Sequence, residues 1–184
     1  MEKVETKSAA DSFTKKLFRL LKRIYQILFI KKYRKCFIQY NRACVKSLRG
    51  NYAEAIKIYH DLLTKKDLIS ESLICKNLGV VYFWSNKFDE SETYLRKSLE
   101  LCVKEKKNDS ELYEYLGRVS LKKLELEEAL LFFERAARFG RKGCVNRMST
   151  DLEHVEETKD ILESHKEDLP FLTAYYKQNK NRFE

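Results

Sequence analysis

Small and bulky residues recur along the middle of the chain at fixed distances. Three windows, QYNRACVKSLRGNYAEAIKIY, CKNLGVVYFWSNKFDESETYL and YEYLGRVSLKKLELEEALLFF, begin at Gln39, Cys75 and Tyr113. In each, a small residue stands four positions after the start: Ala43, Gly79 and Gly117. Twelve positions later comes a second small residue (Ala55, Ser91, Ala129), and four beyond it a bulky one (Tyr59, Leu95, Phe133). The unit repeats after 36 and then 38 residues. This spacing predicts two antiparallel helices per unit. A small residue on each lets the backbones approach, and the bulky residue one turn later fills the space beside them. The polar turns RGN, SNK and LEL fall midway in the units. One such hairpin cannot bury its own apolar face, whereas stacked neighbours can.

The ends have other patterns. At the N-terminus, Phe13, Leu17, Leu20, Leu21, Ile24 and Leu28 share one helical face, widened by Phe18, Tyr25 and Phe29. Lys15, Lys16, Arg19, Lys22 and Arg23 occupy the rest. The longest uncharged run there, Ile24 to Ile30, is far shorter than the roughly 20 residues of a membrane-spanning helix, and no small-residue cleavage site follows. This helix is expected either to pack on the first pair and cover its open end, or to lie on an anionic membrane surface. Contact with a polyanion such as RNA is the weaker alternative, because the apolar face suits a nucleic-acid groove poorly. At the C-terminus, Thr150 and Glu153 stand at capping-box spacing before a charged helix with a narrow stripe of Leu152, Val155, Ile161 and Leu162. Pro170 then breaks the pattern and a short final helix follows, so this region is expected to cover the last pair.

Composition agrees with helices: the 184 residues hold only five Gly and one Pro, too few for a strand-rich fold with many turns. The five cysteines are scattered, with no C-x-x-C pair, as expected of small apolar fillers in a reducing cytosol. The net charge of +9 is concentrated, because Ser12 to Arg49 carry twelve Lys and Arg and no acid.

No catalytic motif stands out. The three histidines, His60, His154 and His165, make no metal or general-base pattern; the last two lie three helical turns apart. Neither catalysis nor a cofactor or metal is expected.

The windows resemble tetratricopeptide repeats, whose pattern runs W-x2-L-G-x2-Y, then A-x3-F, then Pro over 34 residues. The second unit matches with Leu78, Gly79, Tyr82, Ser91 and Leu95. The third matches with Tyr113, Leu116, Gly117, Ala129 and Phe133, and has Ser120 where Tyr is usual. The first keeps Ala55 and Tyr59 but is degenerate in its first helix, and no unit has the closing Pro. The expected fold is therefore an all-α superhelix, a solenoid of three antiparallel helix pairs. The expected layout is a flexible tail over 1–11, a basic amphipathic helix over 12–35, pairs at 36–69, 70–107 and 108–143, and capping helices over 144–184.

The resemblance implies a concave groove, lined by the first helices of successive pairs, that takes a partner peptide or helix. By position its lining would be Phe37, Tyr40, Asn41 and Cys44, then Lys76, Asn77, Val80 and Phe83, then Glu114, Tyr115 and Arg118. Trp84, just before its turn, is read as packing. The basic clamp of members that hold the acidic C-terminus of heat-shock chaperones is not reproduced: only Asn77 matches, while Tyr40, Cys44, Glu111 and Tyr115 stand where the others belong. The expectation is a non-catalytic, cytoplasmic protein-interaction adaptor. The alternatives are a peripheral membrane protein held by Lys15, Lys16, Arg19, Lys22 and Arg23, and, ranked lower, an RNA-associated repeat protein. Another protein is the expected partner, with an anionic membrane and a second copy of the chain also weighed and nucleic acid disfavoured.

Overall fold

The computed structural model describes residues 2–65, 68–140, 160 and 163–178, with side chains described from residue 18 onward apart from 175, 176 and 178. Among the described residues all regular structure is helical. The helices are α1 (Glu2–Leu48), α2 (Tyr52–Leu63), α3 (Glu71–Trp84), α4 (Phe88–Lys104), α5 (Ser110–Lys122), α6 (Leu126–Arg138) and α7 (Pro170–Gln178). α1 pairs with α2, α3 with α4 and α5 with α6; each hairpin packs on the next through α2·α3 and α4·α5, and α7 packs on α6. The described residues form an all-α solenoid of three helix hairpins in series.

The close approach predicted from the small residues is present at atomic level. A Cβ on Gly79 would lie 2.5 Å from Leu95 Cγ and 3.1 Å from the Ser91 carbonyl. Ser91 is small enough to enter the same seam, and its hydroxyl donates to the Gly79 carbonyl at 2.7 Å. In the third hairpin a Cβ on Gly117 would meet the Phe133 ring at 3.0 Å, and in the first Ala43, Ala55 and Tyr59 are fully buried.

Each hairpin turn closes in the same way. At the α3 end, Lys87 N–H donates to Tyr82 O and Asn86 N–H to Phe83 O, with Asn86 left-handed at φ 58°. The pattern repeats at Gly50 and Leu124 in the other two hairpins, and at Lys106 in the link from α4 to α5, all with positive φ. At Gly50 the conformation carries no steric cost, whereas Leu124 adopts it at a cost of roughly 1–2 kcal/mol.

The core has two parts that share α3. Cys36, Ala43, Tyr59, Leu62, Ile74 and Leu78 form one, and Phe83, Leu95, Leu116, Phe133, Leu169 and Leu172 belong to the other. The last two tie α7 to the array. Pro170 stands at the first helical position, where no backbone N–H is needed. The following free N–H groups, of Phe171 and Leu172, donate to the buried Glu134 carboxylate at 3.2 and 3.0 Å. A side chain of α6 thus caps the helix that covers it. The expected capping box at Thr150 and Glu153, and the stripe that follows it, lie outside the described residues.

The N-terminal helix differs from expectation. α1 runs unbroken from Glu2 through the expected tail and past residue 36, since no Gly or Pro interrupts it before Gly50. It does not fold back to cover the first pair: residues 18–35 are all exposed, and packing begins at Cys36. The cause is length. The 12 residues of α2 span about 18 Å and can cover only the end of α1 that faces them.

The seams make a graded prediction. Gly79→Ala should destabilise the protein by about 1–3 kcal/mol, because Leu95 and the α4 backbone must both shift. Gly117→Ala should cost about 1 kcal/mol or less, since the Phe133 ring needs to move only slightly and alanine favours the helix by a similar amount. Urea unfolding of both variants checks the order; equal costs would refute the difference in seam width.

Candidate partner-binding site

The first helices of the hairpins, the end of α1 with α3 and α5, are joined side by side by polar and aromatic links. Between α1 and α3, Asn77 Nδ2 donates to Tyr40 Oη at 2.7 Å. Tyr40 meets the Tyr59 ring edge-on at 6.1 Å, and the Tyr59 hydroxyl and Cys44 Sγ are 3.2 Å apart. Burial, reinforced by Cys44, pushes both phenols above the ordinary tyrosine value, so they stay neutral hydrogen-bonding groups.

Between α3 and α5, Lys76 Nζ lies 2.8 Å from Asp109 Oδ2 and 2.9 Å from Glu111 Oε2. Lys76 is only 8% exposed. Burial opposes its charge, but hydrogen bonds to Asp109 and Glu111 more than offset this and raise its pKa. The other face of Asp109 caps α5: Oδ1 accepts from the Glu111 and Leu112 N–H groups at 3.1 Å each. The same carboxylate therefore starts one helix and anchors it to the previous hairpin.

Further along this face the link is aromatic. The Arg118 guanidinium lies 4.7 Å from the Phe83 ring centre, 5.1 Å from Trp84 and 5.5 Å from Tyr115. Phe83 meets Tyr115 edge-on at 5.7 Å, and Trp84 Nε1 donates to Tyr115 Oη at 3.2 Å. Trp84 remains 46% exposed, so a large aromatic surface is held in a fixed position and presented to solvent.

The structure sorts the groove residues expected from sequence. Phe37 and Asn41 are exposed, while Tyr40, Cys44, Asn77, Val80, Tyr115 and Arg118 are half-buried. Lys76, Phe83 and Glu114 are buried, so the Lys76 charge is spent within the fold rather than offered to a ligand. Trp84, read from sequence as packing, contributes more exposed aromatic surface than any residue of that set on α3 or α5. The signal was the run Tyr82-Phe83-Trp84 directly before a turn, one repeat ahead of Tyr115 and Arg118.

Other polar clusters have structural roles. Glu92, Glu125 and Glu128 converge, but Lys123 and Arg96 reach into them at 2.6–2.9 Å and tie α4 to α5 and α6. Hydrogen bonds from Lys123 and Arg96 outweigh burial and hold the Glu92 carboxyl below its ordinary value. Cys36, Cys44, Cys75 and Cys102 are free thiols, and burial pushes Cys75 up to about 11, which keeps it protonated and inert.

Hairpins that recur after 36 and 38 residues, each closed over a small-residue seam and joined through its first helix, define a helical-repeat protein. Residues 69–142 match the tetratricopeptide repeat family model. It is similar to the photosystem I assembly protein Ycf3 of Acaryochloris marina (strain MBIC 11017), at 27% identity over 139 residues, covering 72% of this chain and 84% of that protein. It is also similar to the BBSome complex member BBS4 of Bos taurus, at 33% identity over 95 residues, which is 50% of this chain and 16% of that much longer protein. Among the described residues no helix is long and apolar enough to cross a membrane.

The Lys76 bridge gives a pH prediction. Lys76→Met leaves two carboxylates facing each other, and their partial exposure limits the cost to about 1–2 kcal/mol at neutral pH. Because the folded pKa of Lys76 is raised, its contribution is complete below the unfolded value and fades as pH climbs through the folded one. Urea midpoints of wild type and variant should therefore differ at pH 7 and converge only once pH has climbed past the ordinary lysine value. A constant difference across this range would contradict the assignment.

Proposed function

We propose that this chain is a non-catalytic adaptor that holds a peptide or helix of a partner protein on the face made by α3, α5 and the end of α1. The observation that carries this reading is the Trp84, Tyr115 and Arg118 cluster. Residues of these three types dominate binding energy at protein interfaces, and here they are fixed by one another before any partner arrives. Val80, half-buried, stands one helical turn before Trp84 on α3, and the first helices also carry the half-buried Asn77 and the exposed Asn41 and Phe37. That mixture suits a partner segment of mixed polarity, with an apolar or aromatic side chain seated against Trp84 and polar groups on either side. The internal use of Lys76 argues against a simple acidic tail as ligand. The tetratricopeptide match over residues 69–142 supports a binding role, as do relatives named for photosystem assembly and for membership of a multiprotein complex. The free thiols fit action in a reducing compartment such as the cytoplasm.

The test is selection of peptides from a random displayed library on the immobilised full-length protein. Selected peptides should lose binding about ten-fold or more to Trp84→Ala and to Arg118→Ala, the size of effect expected at an anchor. They should bind unchanged to Glu100→Ala, at an exposed position on α4. Peptides that bind all three variants equally would place the binding surface elsewhere.

A further inference from the structure

The exposed stretch of α1 carries a second surface. At about 100° per residue, Phe18, Leu21, Ile24, Tyr25, Leu28 and Phe29 fall within one arc of about 140°. Arg19, Lys22 and Arg23 lie on the remaining side. All nine are exposed, with Phe18 at 71% and Leu28 at 60%, so the fold leaves this apolar face uncovered.

Charge and side-chain size select the occupant. A second copy would bring together two helices that each carry only basic charge over residues 12–49, with no acid to offset the repulsion. The packed helix seams of this protein contain a Gly, Ala or Ser where backbones meet, at Ala43, Gly79, Ser91, Gly117 and Ala129. From Phe18 to Lys35 there is none, so a partner helix could not approach as closely as the helices within the hairpins do. An anionic bilayer needs neither a small-residue seam nor acidic partners at fixed positions. It accepts Phe, Leu, Ile and Tyr at the acyl boundary and attracts Lys and Arg at the headgroups. Lys31, Lys32, Arg34 and Lys35, all exposed, extend the basic charge toward the repeats.

We propose that residues 18–30 of α1 lie along an anionic membrane surface with the apolar arc inserted, holding the repeat array at that surface. This surface is separate from the α3–α5 face and does not depend on the adaptor reading.

Sedimentation of the full-length protein with phosphatidylcholine vesicles, and with vesicles that also contain phosphatidylserine, tests the proposal. Binding should require phosphatidylserine and weaken as salt is raised. Lys22→Gln with Arg23→Gln should weaken it about 25-fold, some five-fold per charge. Leu21→Gln with Leu28→Gln should weaken it on the order of ten-fold or more. Thermal unfolding of both double variants should match wild type, because none of these side chains is packed. The groove variant Trp84→Ala should bind the vesicles as wild type does. Absence of binding to the anionic vesicles would overturn the proposal. So would unchanged binding by the Leu21/Leu28 variant, which would reduce the surface to a polyanion contact. Concentration-dependent association without vesicles, abolished in that same variant, would instead assign the face to a second copy.

Discussion

The structure depends on how closely two helix backbones can approach within a hairpin. At Gly79 there is no room for even one more carbon, because Leu95 occupies the space a side chain would need. That contact sets the register of α3 against α4, and the third hairpin repeats it more loosely with Gly117 and Phe133. Once the register is set, Phe83 and Leu95 are brought into the core shared with α5 and α6, and Ile74 and Leu78 into the core shared with α1 and α2. The seam inside one hairpin therefore decides what the neighbouring hairpins can bury. α3 suffers most from any error there, since it belongs to both halves of the core.

This constraint is why so much of the fold was legible in the sequence. Small residues twelve apart followed by a bulky one are a direct record of backbone approach, and they survive even in the first unit, where Gln39 and Lys46 obscure the rest. Turn chemistry was less legible. Gly50 and Asn86 announce the left-handed positions that close their helices, but Lys106 and Leu124 adopt the same conformation under the demands of the hairpins around them. The end of the array illustrates a different limit. Glu134 reads as one more acid on a charged helix, and only its position in space, beneath the first N–H groups of α7, makes it a cap.

For a related reason the candidate face could be read from sequence only as positions along the first helices. Position in the repeat indicates which side chains point along the first helices, but not which of them the fold already uses. Lys76 is held by two carboxylates from the next hairpin, and Phe83 and Glu114 are buried, whereas the Trp84 ring remains exposed. The N-terminal helix raised the same question on a larger scale. Its amphipathic pattern was plain, yet a pattern cannot say what covers an apolar face. The shortness of α2 answers it, leaving residues 18–35 beyond reach of the array.

The chain thus divides at Cys36: a packed repeat array on one side, and on the other a basic helix continuous with it whose residues 18–35 are all exposed. Amide hydrogen exchange of the full-length protein in solution, without lipid or partner, tests this division directly. The amides of α3 to α6 should be the slowest and should open together, while those of residues 18–35 should exchange orders of magnitude faster, with protection rising from about Cys36. Protection of residues 18–35 equal to that of α3 would mean that their apolar face is covered in the free protein, and the division would be wrong.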